Sequence, residues 1–181
     1  MKRSSARKVD EPWPEKSPSR LDVFERSLQK AGAWLDEPMA RLAWEDRHQT
    51  WEALGVVLQV LRDRLPLKES VRLADRLPLL LRGLYYQNWS VSGVPENYRH
   101  AREFLSRVRG GLLDHRLKFI PEERLVMGVC NLLQARLGYS ELRGIRRVLP
   151  PELRDFFAAR GSEDSGERWL PEDFPWDQYP L

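Results

Sequence analysis

The feature that limits this chain most is an internal repeat. A shift of 72 residues lays Leu61–Tyr86 on Leu133–Ala158 without a gap. Leu61, Arg64, Leu65, Glu69, Leu77, Pro78, Leu81 and Arg82 then coincide with Leu133, Arg136, Leu137, Glu141, Leu149, Pro150, Leu153 and Arg154. Eight identities in 26 positions exceed what composition supplies, and Leu84 and Tyr85 fall opposite Phe156 and Phe157, which preserves bulk. Self-similarity at a fixed shift sets the architecture ahead of any local reading. Upstream, Phe24 corresponds to Phe104 at a shift of 80, so the first copy carries about eight extra residues near 36–45. Two copies are too few for a solenoid. The expectation is two tandem, similarly folded helical subdomains, 20–95 and 96–160, forming one compact body.

Hydrophobic periodicity makes the fold class all-α, because no alternating runs suggest a sheet. Helices are expected at about 20–34, 40–65, 68–76 and 78–87, and again at about 97–113, 121–137, 139–148 and 150–160. Pro38, Pro78, Pro121 and Pro150 suit first helical turns, where the missing N–H costs nothing. Pro66 cannot continue the ladder that reaches Leu65. In the long helix of copy one, Trp44, Trp51, Leu54, Val57, Leu58, Val60, Leu61 and Leu65 cover more than half the circumference, so that helix is central. Its remaining arc, Glu45, His48, Glu52, Gln59, Arg62 and Asp63, reads as solvated. Tyr98, Ala101, Phe104, Leu105, Val108 and Leu112 form one stripe, as on an outer helix.

The flanks differ from the body. Residues 1–19 are rich in Pro, Ser, Lys and Arg and read as a disordered arm. Residues 161–181 hold six acidic and one basic side chain, three prolines, and Trp169, Phe174, Trp176 and Tyr179. An aromatic, acidic tail of this kind is expected to dock on its own body or to serve as a linear motif for a partner. The single cysteine, Cys130, excludes an intramolecular disulfide and a cysteine-cluster metal site. No apolar run approaches the ~20 residues that cross a bilayer, and the basic N-terminus lacks the apolar stretch of a secretory signal. A cytoplasmic address with no membrane partner is the expectation.

The strings WEDRHQTWEALGVVLQVLRDRLP (44–66), LADRLPLLLRGLYYQNW (73–89), HAREFLSRV (100–108) and VLPPELRDFF (148–157) resemble the domain of unknown function 2267 family. The resemblance extends over about residues 21–160. It implies a small, all-helical, cytoplasmic bacterial protein and carries no catalytic residue, because the family has no assigned activity.

Among candidate reactive groups, Glu45, His48 and Glu52 stand at i, i+3 and i+7, where helical side chains converge. The equivalent stretch near 117–124 has no histidine, too few ligands for a metal site. His48 has neighbouring carboxylates but no nucleophile, since Thr50 points to another face. Cys130 sits in an apolar helix and His100 and His115 share no spacing. No catalytic residue, cofactor or metal is therefore assigned, and the reading leans away from an enzyme.

Two surfaces remain. Trp51, Tyr85, Tyr86 and Trp89, with His48, are the candidate binding surface near the seam between copies. Arg143, Arg146, Arg147 and Arg154 are the candidate phosphate contacts. The expected function is a non-enzymatic protein-interaction module. The alternatives are a nucleic-acid-associated protein using the second-repeat arginines, or a small-ligand binder or enzyme at the aromatic seam.

Overall fold

The computed structural model describes residues 20–42, 46–117 and 121–158. Their regular structure is wholly helical: α1 (Arg20–Leu42), α2 (Arg47–Arg64), α3 (Leu67–Arg76), α4 (Leu79–Tyr86), α5 (Ala101–Asp114), α6 (Glu122–Val148) and α7 (Pro151–Ala158). The N-terminal arm, Trp44, Glu45 and the aromatic tail lie outside the described residues.

Proline sets several of the breaks. Leu65 leaves α2 in an extended conformation with its N–H on the Arg62 carbonyl, and Pro66, which has no N–H to give, opens α3. Leu77 and Pro78 do the same between α3 and α4. In α6 the break falls at Gly138, whose φ of +79° kinks the helix into 122–137 and 139–148. Glycine enters that left-handed region without the Cβ penalty of other residues.

The first connection departs from expectation. Pro38 does not open a helix; it lies buried inside α1, which continues to Leu42. A proline within a helix forgoes one ladder bond, and Arg136 Nη2 takes up the nearby Ala33 carbonyl at 2.8 Å. α2 starts seven residues later than expected because Asp46 caps it. The Asp46 carboxylate accepts the His48 and Gln49 N–H groups at 2.8 and 3.2 Å, satisfying two of the donors a helix start leaves unpaired.

α2 is the centre of the body and packs against α1, α4, α5 and α6. Leu58, Leu61, Leu77 and Leu81, with Val129, Leu133, Leu149 and Leu153, are all at most 3% exposed. Gly111 of α5 admits a close approach to α2, since a Cβ there would stand 2.7 Å from Val56 Cγ1. Arg62, on the arc expected to be solvated, is instead buried.

Candidate functional site

Arg62 organises the end of α2. Its guanidinium makes two bonds to Asp63, at 2.7 and 3.0 Å, and donates to the carbonyls of Tyr85 and Gln87. Its Cζ stands 5.5 Å from the Trp89 ring centroid. A buried guanidinium needs this full set of acceptors, because an unpaired buried charge is costly. Ser70 Oγ donates to the Arg62 carbonyl at 2.8 Å, and Tyr85 Oη donates to the Ser70 carbonyl at 3.1 Å. Burial pushes the Tyr85 and Tyr86 hydroxyls up from the ordinary phenol range.

Three members of the expected binding surface meet here. Tyr85 and Tyr86 contact edge to face, and Tyr86 stacks on Trp89, each pair with centroids 5.3 Å apart. The other two do not join them. Trp51 is half-buried and His48 exposed near the start of α2, about 16 and 21 Å along the helix from Arg62 at ~1.5 Å per residue. The expected five-residue surface is therefore divided between the two ends of one helix. Tyr85 is fully buried and offers no surface at all.

The connection between α4 and α5 is held to the same end of α2. The Glu96 N–H donates to the Asp63 carbonyl at 2.8 Å. Tyr98 lies between the guanidiniums of Arg64 and Arg107, 5.2 and 4.6 Å from its centroid, and Arg107 pairs with Glu96 at 2.5 Å. Tyr98 is buried, which raises its hydroxyl pKa. These groups bind protein to protein, so the chemistry of the cluster is that of a clasp.

Two of the three histidines are likewise paired. His100, the cap residue of α5, has Nδ1 3.3 Å from Glu152 Oε1, while Glu152 Oε2 accepts the Ala101 N–H at 2.7 Å. His115, at the other end of α5, stands 2.8 Å from Glu52 Oε2. Of the Glu45–His48–Glu52 ladder, His48 and Glu52 lie on α2, and Glu45 is outside the described residues. Among the described residues no three His, Cys, Asp or Glu side chains are grouped as a metal would require. Cys130 is buried, and burial pushes its thiol pKa up. It lines a small apolar crevice with Val57, Leu61, Phe104, Leu149 and Phe156.

The four arginines of the second half separate into two kinds. Arg154 donates to the Leu149 and Arg147 carbonyls at 2.8 and 3.3 Å. Arg146 lies 4.9 Å from the Tyr139 centroid and donates to the Phe157 carbonyl at 3.4 Å. Arg143 and Arg147 are exposed. Two of the four expected phosphate contacts thus hold helix ends together.

Fold and site together define an all-helical protein whose aromatic, histidine and guanidinium groups join its helices. The chain belongs to the family described as "Uncharacterized conserved protein (DUF2267)", whose model matches residues 32–156. No curated protein matches the chain. Among the described residues, no helix is long and apolar enough to cross a membrane.

Sequence reasoning missed Arg62, the two His–Glu pairs and the Tyr98 sandwich. Each joins residues far apart in the chain, and no local signal marks them. One further feature was legible but unread: Phe24, Leu28, Ala31, Leu35 and Pro38 form one stripe at i, i+4, i+7, i+11 and i+14 of α1.

Proposed function

We propose that this chain is a non-enzymatic protein-interaction module built from two tandem, similarly folded halves. The tandem reading is supported by the matching breaks. At the 72-residue shift, Pro66 corresponds to the kinked Gly138 and Leu77 to Leu149, both extended, while α4 and α7 are both eight residues long.

The interaction reading rests on the stripe of α1. Its C-terminal part, Ala31, Leu35 and Pro38, is buried against the body. Its N-terminal part continues the same line into solvent, with Phe24 59% and Leu28 48% exposed and Val23 beside them 54% exposed. An amphipathic helix whose apolar stripe outruns its own core suits an apolar groove on a partner, with anchors at i and i+4. At the seam the Tyr85 hydroxyl and the Arg62 guanidinium are spent on internal contacts, which favours association over chemistry in this reading.

A photoreactive side chain placed at Phe24, and as a control at Gln29 on the opposite side, tests this in cells that make the protein. A discrete adduct from position 24, absent from position 29 and lost on Leu28→Asp, is the expected result. No discrete adduct from position 24 would overturn the reading.

A further inference from the structure

Several exposed arginines among the described residues are matched by carboxylates. Arg47 pairs with Asp36, Arg109 with Glu122, Arg76 with Glu141 at 2.9 Å and Arg136 with Glu37 at 3.3 Å. One helix face gathers three arginines without a carboxylate partner among the described residues. Tyr139, Arg143, Arg146 and Arg147 stand at i, i+4, i+7 and i+8 of α6, beyond its kink, and so share one side of the helix. Tyr139 is 60% exposed. Arg143 and Arg147 have no carboxylate partner among the described residues, and Arg146 holds only the Tyr139 ring and a carbonyl. Neighbouring carboxylates are committed elsewhere: Glu141 to Arg76, Glu69 to Arg72, and Glu152 to His100 and the Ala101 N–H. Asp155 of α7 is the remaining acidic group close in sequence.

The chain itself continues from the rim of this face. α7 ends at Ala158, and the Phe157 carbonyl is the group that Arg146 touches. The 23 residues that follow carry six acidic and two basic side chains and four large aromatics. An extended chain spans at most ~3.6 Å per residue, so the five residues from Ala159 to Glu163 reach up to about 18 Å. The face from Tyr139 to Arg146 is about 10 Å long at ~1.5 Å per residue. The first carboxylates of the tail therefore reach every guanidinium on it. Charge complements charge, and guanidiniums also accept aromatic rings.

We propose that residues 161–181 dock in cis on the Tyr139–Arg143–Arg146–Arg147 face of α6, with the tail carboxylates on Arg143 and Arg147 and a tail aromatic ring against Tyr139 and Arg146. The docked tail covers the guanidiniums that an external polyanion would use. This contact is separate from the α1 stripe.

A nitroxide on the full chain at Gln178→Cys tests the proposal. Buried Cys130, with its raised thiol pKa, leaves position 178 as the reactive thiol. Relative to the reduced label, the backbone amides of Tyr139, Arg143 and Arg147 should lose most of their NMR signal, while those of α2 near Thr50 keep theirs. The loss should disappear in about 1 M salt, where the Debye length is about 3 Å. It should also disappear in Arg143→Glu/Arg147→Glu, or in Arg143→Gln/Arg147→Gln should charge reversal disturb the fold. Full signal at these amides overturns the proposal, as does broadening that persists in both double variants. Equal broadening of isotopically labelled, spin-free chain mixed with spin-labelled chain of natural isotopic abundance places the contact between molecules and overturns docking in cis.

Discussion

Arg82 and Arg154 hold their helices by the same means: each donates to the carbonyls five and seven residues before it. Arg82 Nη2 reaches Leu77 and Asp75 at 3.4 and 3.0 Å, and Arg154 reaches Leu149 and Arg147 at 2.8 and 3.3 Å. Arg82 adds the Ala74 carbonyl at 2.8 Å. Each arginine thereby supplies donors to carbonyls at the end of the preceding helix, which have no intrahelical partner. Hydrogen bonds from a charged donor are worth about 1.5–3 kcal/mol each at best. Arg82→Met, which keeps the apolar stem, should lower the unfolding free energy in urea by about 1.5–3 kcal/mol. Arg154→Met should lower it less, since Arg154 is the more exposed. Equal, negligible effects would show that these carbonyls are as well served by water.

Leu61 is the plainest test of the core. It is 2% exposed on the central helix and lines the crevice beside Cys130. Leu61→Ala should cost about 2–5 kcal/mol, the lost transfer energy plus the cavity left behind. A cost below about 1 kcal/mol in a denaturant titration would contradict the central role of α2.

The Arg62 clasp predicts an asymmetry. Asp63→Asn leaves a buried guanidinium without its carboxylate and should destabilise by about 3 kcal/mol, the low end for a broken buried pair, because Asp63 keeps contact with water. Arg62→Met combined with Asp63→Asn should be milder than the sum of the single changes, since the two residues interact. Strict additivity in a double-mutant cycle would mean that the pair does not act as a unit.

Acid should loosen both α5 and α2. The carboxyl of Glu152 is held below its ordinary value of 4.5 by the Ala101 N–H and His100. That of Asp46 is held below 3.8 by the N–H groups of Gln49 and His48. A depressed folded pKa means that the unfolded chain binds more protons in acid, so this stability is present above the ordinary values and lost as pH falls through the folded ones. The thermal midpoint should drop as pH falls below about 5. Glu152→Gln should flatten that slope, and amide exchange should show α5 fraying at Ala101. An unchanged slope in Glu152→Gln would remove Glu152 from the cause.

Much of the fold was legible because its punctuation is local. Pro66 and Pro78 act on their own neighbours, and the leucines that coincide at the 72-residue shift are buried, except Leu137, which packs partly buried against the core. Pro38 misled because a proline is equally compatible with a helix start and with an interior position that forgoes one bond. The deciding group was Asp46, whose carboxylate caps α2. Arg62 misled because helical periodicity places a residue on a face without saying what covers that face. Here Tyr85, Gln87 and Trp89 cover it, more than twenty residues away in sequence. The expected surface is divided for a similar reason: Tyr86 and Trp89 stack on each other, but distance along α2 separates them from His48 and Trp51.

The helices that cover the core are exchanged between the two ends of the sequence. α1 lies on α6 as well as on α2 and α4, with Arg136 bonded to both Ala33 and Glu37, while α5 lies on α2 as well as on α6. Neither the first four helices nor the last three enclose their own apolar interior. Cutting the chain in the connection between α4 and α5 would leave two pieces that each lack a wall and each possess the other's. Such pieces should act as complementing fragments, each insoluble or unfolded when made singly and the two restored to a native heterodimer when made together.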